Sequence, residues 1–122
     1  MGDNSQNLGK KGEEYAVKFL ENLGYLILET NWRVRKLEVD IIAKDKENLV
    51  VVEVKARSTN VFGEPEVFVS KKKQSNLIKA AHEYIQQIDF NGETRFDVIS
   101  ILENNGKFIV KHIQNAFEPS IN

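Results

Sequence analysis

Two stretches, Glu38-Val39-Asp40-Ile41-Ile42-Ala43 and Leu49-Val50-Val51-Val52-Glu53-Val54-Lys55-Ala56, are almost continuously apolar, yet they carry charges at Glu38, Asp40, Glu53 and Lys55. Apolar, β-branched runs of this length are strands buried on both faces, so the chain must build a sheet that is covered on each side. The polar segment Asp45-Lys46-Glu47-Asn48 between them reads as a tight turn, which makes the two strands antiparallel neighbours. A charge buried there without a partner is strongly unfavourable, so the four groups need each other, or a metal.

The turn sets a register. Pairing Asp45 with Asn48 places Ile42 opposite Val51, Asp40 opposite Glu53 and Glu38 opposite Lys55. Side chains alternate along a strand, so the reverse face then pairs Val39 with Val54, Ile41 with Val52 and Ala43 with Val50. Every charge lies on one side, and a one-residue slip would set charges against valines. Asp40 opposite Glu53 is unfavourable unless a proton or a cation lies between them. Magnesium commonly takes one or two protein carboxylates, with water and substrate phosphate oxygens completing its shell. The chain has no cysteine, and His82 and His112 stand alone in sequence, so a hard, oxygen-ligated ion fits better than zinc. Lys55 beside Glu53 could orient an attacking water or offset charge on a phosphate.

Apolar periodicity predicts a helix from about 9 to 23, with Ala16, Val17, Leu20 and Leu23 facing inward and Gly24 as its stop. Glu13 falls on the inward stripe and Glu14 on the solvent face. A strand at about 25–33 follows. A loop at 58–69 precedes a second helix, which is capped by Ser70, runs to Ile88 and carries the stripe Leu77, Ala80, Ala81, Tyr84, Ile85 and Ile88. Strands at 94–102 and 107–113 join through Asn104-Asn105-Gly106. The order αβββαββ predicts an α/β fold, a mixed sheet flanked by helices. One domain over 9–118 is expected, with short tails at 1–8 and 119–122.

At 122 residues, 41% hydrophobic and 29% charged, the chain has the composition of an ordinary globular domain. No apolar run approaches the ~20 residues that span a bilayer. With no cysteine and a polar start, the expectation is a cytoplasmic protein that does not insert into membranes. A net charge of −1 argues against a protein that coats nucleic acid nonspecifically. The charge is uneven, however: Lys71, Lys72, Lys73 and Lys79 lie in a segment without acids. The inward stripe of the second helix extends back to Lys73 and Gln74, which could reach a phosphate. Arg33, Arg35 and Arg57 are further candidates for backbone contact. Trp32 and Phe62 could stack on bases or simply pack.

The set Gly12-Glu13, Gly24-Tyr25, Asn31-x-Arg33, Glu38 to Ala43, Val52-Glu53-Val54-Lys55-x-Arg57, Arg95 to Ile99 and His112-Ile113-x-Asn115-Ala116-Phe117 resembles the bacterial YraN family over about residues 9–118. That family is in turn similar to PD-(D/E)XK nucleases of restriction-endonuclease-like fold, close to archaeal Holliday-junction resolvases. The resemblance implies a Mg²⁺- or Mn²⁺-dependent DNA endonuclease, with Glu13, Asp40, Glu53 and Lys55 catalytic and Glu13, Asp40 and Glu53 holding the metal. It implies Glu38 in support and a DNA substrate, branched DNA included. Cutting both strands of a junction would need two sites, which a homodimer would supply. Leu37 stands where the family commonly has glycine.

Two other readings stay open on the residues alone. One is a nucleic-acid-binding or accessory module of the same fold with little turnover. The other is an interaction domain whose strand charges form a structural ion-pair cluster.

Overall fold

The computed structural model describes residues 4–58 and 68–119, with side chains from residue 8 onward. The order is α1 (Asn4–Asn22), β1 (Leu26–Val34), β2 (Leu37–Asp45), β3 (Asn48–Ser58), α2 (Lys71–Ile88), β4 (Thr94–Asn104) and β5 (Lys107–Phe117). This is the expected αβββαββ arrangement. Phe62, and most of the loop at 58–69, fall outside the described residues.

The five strands lie in sequence order, with β3 and β4 parallel and the other neighbours antiparallel. The parallel pair follows from α2, because a parallel connection needs a long crossover whereas the antiparallel pairs need only tight turns. Each hairpin turn contains a residue in left-handed conformation: Arg35, Lys46, and the Asn105-Gly106 pair. The Asn-Gly pair supplies the two positive φ angles that a two-residue turn matching strand twist requires.

One helix covers each face. Ala16 and Leu20 of α1, with Tyr25, pack on Ile41, Ala43, Val50, Val52, Ile99 and Ile101. Leu77, Ala80, Ala81 and Tyr84 of α2 pack on Ile42, Leu49, Val51, Phe96 and Val98. The all-apolar runs of β2 and β3 are therefore the middle layer between the two helices. Leu23 and Ile88, the last residues of the two predicted stripes, are exposed, since each helix ends beyond the packed face.

Helix α1 closes with Gly24 at φ +94, the Tyr25 amide donating to the Leu20 carbonyl and the Gly24 amide to Glu21. This is the left-handed stop expected of glycine. The helix begins at Asn4, earlier than the apolar periodicity indicated. Residues 4–7, Asn-Ser-Gln-Asn, have no apolar member to mark a face. At α2, the Ser70 hydroxyl accepts from the Lys73 amide as the predicted N-cap.

Candidate active site

Residues of β3 alternate as expected. Val50 and Val52 belong to the α1 layer, with Val54 and Ala56 packed against it, while Leu49 and Val51 belong to the α2 layer. Glu53 therefore faces α2, where its Oε2 lies 3.7 Å from Lys73 Nζ. Lys55, two residues on, has the same orientation and lies in register with Ser100.

The predicted register of β2 against β3 is present from Asp45↔Asn48 to Ile41↔Val52 and stops there. At the next position the Asp40 side chain replaces the ladder, its Oδ2 accepting the Val54 amide at 2.8 Å. The β1–β2 ladder has a gap at the same level: Thr30 pairs with Ile41 and Trp32 with Val39, but no Asn31↔Asp40 pair forms. Asn31 is left-handed, at φ +49. The alternation of faces resets across this gap. Ile41 belongs to the α1 layer, yet Val39 lies with Ile42 in the α2 layer, and Trp32 stacks edge-on against Tyr84 of α2 at 5.1 Å. Trp32 is thus a packing residue.

Three predicted relations fail for this one reason. Val39 and Val54 lie in opposite layers rather than opposite each other. Glu38 does not share a face with Ile42, nor does it meet Lys55. The reset carries it to the α1 side, where it pairs with Arg33 at 3.6 Å and its charge acts on Glu13. Asp40 is not stacked above Glu53 as an ordinary cross-strand neighbour. Its carboxylate lies between the strands, at the level of the sheet itself.

That position lets Asp40 be reached from both sides. Glu13, half-buried on α1, lies near enough to Asp40 and to the Asn31 side chain for both to act on its carboxyl. Glu53, from the α2 side, lies close enough to feel the Asp40 charge. Glu14 is exposed, as its helical phase requires. Helix α1 can bring Glu13 so close because of Gly12, where an added Cβ would lie 2.8 Å from the Ala56 Cβ. Gly12→Ala is therefore expected to destabilise the fold by up to about 2 kcal/mol: roughly 1–3 kcal/mol of overpacking less about 1 kcal/mol gained in helix propensity. Urea unfolding checks this, and Ala56→Gly in the same chain should restore most of the loss.

All three carboxyls are perturbed in the same direction. Burial, then the Asp40 charge, pushes Glu53 up to about 7, against the smaller opposing effects of Lys73 and Lys55. Burial also raises Asp40, despite the Val54 amide and Lys73. Glu13 is raised by burial first and by Asp40 second, with Asn31 opposing. Crowded carboxyls whose hold on a proton is raised mark a place where a cation would replace a proton. The donor set is all oxygen, which suits Mg²⁺ or Mn²⁺. Among the described residues no three carboxylate, imidazole or thiol groups form a ready-made metal cage. Asp40 and Glu53 are the two that would hold an ion, with Glu13 bracing Asp40.

The other predicted contacts divide. Lys73 does reach the carboxylates. Gln74 turns back instead, its Nε2 donating to the Val69 carbonyl at 2.8 Å and tying down the start of α2. Arg35 pairs with Glu83 at 2.7 Å and Arg33 with Glu38, while Arg57 sits half-buried late in β3.

A second polar cluster gathers around Asp97, where the pairing with Arg95, two residues away, is legible in sequence and the contacts of His112 and Asn115 are not. His112 is not isolated: its Nε2 lies 2.8 Å from Asp97 Oδ2. Asp97 also accepts two bonds from Arg95 at 2.9 Å and the Asn115 amide at 3.0 Å. Arg95 continues to Tyr25 and Asp45. Asn115 is left-handed at φ +54, and β5 shifts register here, which turns its amide toward Asp97. Asn31, beside Glu13, was not read as a site residue, although it stands in the Asn31-x-Arg33 motif and an asparagine inside a strand is poor in β-propensity and tolerant of positive φ.

With this geometry in view, comparison with known proteins places the chain. A profile described as "Uncharacterised protein family UPF0102" matches residues 12–101. The chain belongs to this family. A UPF0102 protein of Christiangramia forsetii is 48% identical over 110 residues, covering 90% of this chain and 92% of its own. One from Persephonella marina is 45% identical over 111 residues, covering 90% and 92%. One from Desulforapulum autotrophicum is 41% identical over 119 residues, covering 97% and 98%. UPF0102 is the YraN family, so the resemblance read from the motifs is borne out. The family match spans Glu13, Asn31, Asp40, Glu53, Lys55 and Lys73. Among the described residues, no helix is long and apolar enough to cross a membrane.

Proposed function

We propose that this UPF0102 protein is a metal-dependent phosphodiester hydrolase acting on DNA, with branched DNA within its substrate range. The observation that carries the reading is the Asp40–Glu53 pair, two half-buried acids close enough for the Asp40 charge to add to burial in pushing Glu53 up to about 7, with Asp40 held between the strands by the Val54 amide. Structural acids are normally paired with bases, whereas here three acids, Glu13, Asp40 and Glu53, lie beside two lysines, Lys55 and Lys73, and the site is short of positive charge.

In this reading Asp40 and Glu53 hold Mg²⁺ or Mn²⁺ and Glu13 fixes Asp40. A bound ion would lower the pKa of its water and balance charge at the phosphate. Asp40 is oriented by the Val54 amide, which holds one of its carboxylate oxygens. Lys55 lies on the same face as Glu53, where it can position the attacking water or stabilise developing charge. Lys73, at the start of α2, balances Glu53 in the metal-free protein and is placed to meet a phosphate oxygen. Arg57 lies along the same strand. Two copies would serve the two strands of a junction.

With Mn²⁺, cleavage is expected of at least one among junction, flap, single-stranded and duplex DNA. Asp40→Ala should lower it by more than about 100-fold, beyond the range typical of residues that merely support a metal ligand. Absence of product from all four, with the variant behaving identically, would reject the activity. One observation favours a second reading, a binding module without turnover: among the described residues no three-ligand cage is preformed. That reading expects DNA binding that weakens steeply with salt and no cleavage.

A further inference from the structure

We propose that the α2-side face of β3, β4 and β5, beyond the part that α2 covers, is the track along which a DNA strand leaves the candidate site, and that Lys111 of β5 holds one of its phosphates. The inference rests on the DNA reading given above and adds to it the path of the strand.

The pairing of three strands builds this face. Lys55 lies in register with Ser100, and Ser100 with Lys111. In the next row Arg57 lies in register with Leu102, and Leu102 with Ile109. Val54, Ile99, Ile101 and Val110 belong to the α1 layer, so the residues that alternate with them face the other side. Helix α2 covers only the near half of that side. The layer beneath it holds Leu49, Val51, Phe96 and Val98, with Ile113 packed against them, and its backbone lies nearest β2 and β1. The two rows beyond are different. Lys111 is exposed, Ile109 is 53% exposed, and neither Leu102 nor Ile109 joins a core layer. Strand β5 is the edge of the sheet, so the rows run off it without meeting a further strand.

Charge says what fits there. Among the described positions of these three strands on this side, Glu53 is the one acid, against Lys55, Arg57 and Lys111. The chain as a whole carries −1, so this is a local concentration of positive charge that starts at the carboxylates and leads away from them. Such a stripe complements a phosphate backbone. Neighbouring strands lie about 4.8 Å apart, which sets the Lys111 backbone roughly 10 Å from that of Lys55. A DNA strand rises about 3.4 Å per nucleotide. A strand with one phosphate at Lys55 therefore brings another, about three nucleotides along, to Lys111.

The test is DNA binding by fluorescence anisotropy over a salt series, without added metal, on whichever of junction, flap, single-stranded and duplex DNA the wild type binds best. Lys111→Ala should weaken binding roughly 10-fold at about 50 mM salt and lower the slope of log affinity against log salt by about 0.7–0.9, the signature of one lost phosphate contact. Lys111→Arg should keep both. Lys18→Ala removes the same charge from an exposed position on α1, across the sheet, and should change neither. Mn²⁺ binding in calorimetry should be the same in wild type and Lys111→Ala, and a change there would overturn the assignment to DNA. An unchanged salt slope in Lys111→Ala would overturn the track and leave the DNA reading standing. Equal losses in Lys111→Ala and Lys18→Ala would make the effect one of net charge and overturn it too. Ile109→Glu should also weaken binding; if it instead splits a dimer and leaves DNA binding intact, the face joins two copies and the proposal is overturned. If the wild-type chain binds none of the four DNAs at low salt, the DNA reading and this one fall together.

Discussion

Asp97→Ala is expected to destabilise the protein by about 3 kcal/mol or more, the scale of removing one partner from a buried ion pair. Asp97 is the hub of the cluster on the α1 side of β4, and its side chain is completely buried. Burial by itself would raise its carboxyl, but the bonds from His112, Arg95 and the Asn115 amide outweigh it and hold the group below the ordinary value of 3.8. Removing it strands His112 and costs Arg95 its bidentate partner, although Arg95 keeps Asp45 and Tyr25. A domain typically has only ~5–15 kcal/mol of stability, so urea unfolding should show a large drop in midpoint. Because the folded carboxyl is depressed, its contribution is fully present above the unfolded pKa, near 3.9. It is lost as pH falls below that value toward the folded one. The wild-type protein should therefore lose stability in acid more steeply than Asp97→Ala. Equal acid sensitivity in the two would refute the role assigned to Asp97.

The second large effect has the opposite sign. Glu53→Gln is expected to stabilise the metal-free protein by about 3 kcal/mol at pH 8 and by less than about 1 kcal/mol at pH 5. The carboxyl titrates at about 7 in the fold against an ordinary 4.5, so the folded chain holds that proton more tightly. Its stabilisation is fully present below about pH 4.5 and is lost as pH rises through about 7. Above that, the wild type carries a buried charge facing Asp40, whereas the amide carries none. Lys73 loses its partner in the variant, but its side chain is 44% exposed and can turn to water. The same substitution should remove the stabilisation that Mn²⁺ gives the wild type, since an ion that binds only the folded chain raises its melting point. Thermal melts at the two pH values, with and without Mn²⁺, check both halves. A variant less stable than wild type at pH 8 would refute the carboxylate-pair reading. Gain of stability with loss of metal response is the trade expected where a site is built from mutually repelling groups.

These two acids also show how far local rules carry. Asp97 and Asp40 both stand among apolar strand residues, and the one local difference is the residue two positions before, Arg95 for Asp97 and Glu38 for Asp40. The partners distinguish a satisfied structural acid from a frustrated one: Asp97 meets Arg95 and His112, whereas Asp40 meets Glu53 and Glu13. His112 lies 15 residues from Asp97 and reaches it only through the β4–β5 hairpin and the register shift in β5.

What the amino-acid order determined was whatever repeats with a short period. The αβββαββ order, the β2–β3 turn and its register as far as Ile41↔Val52, the stop at Gly24 and the inward phase of Glu13 all follow from periods of 2 or 3.6 and from turn chemistry. Tertiary structure decided what happens where a period is interrupted. Whether Glu38 meets Lys55 or Arg33 depends on the interruption of both ladders at Asp40, beyond which the facing of β2 resets. Alternation is a property of one extended strand, and it does not say where that strand is interrupted. The charges that looked misplaced in two strands were legible in the sequence. Their meeting at the level of the sheet, Glu13 from one side and Glu53 from the other, came only with the fold.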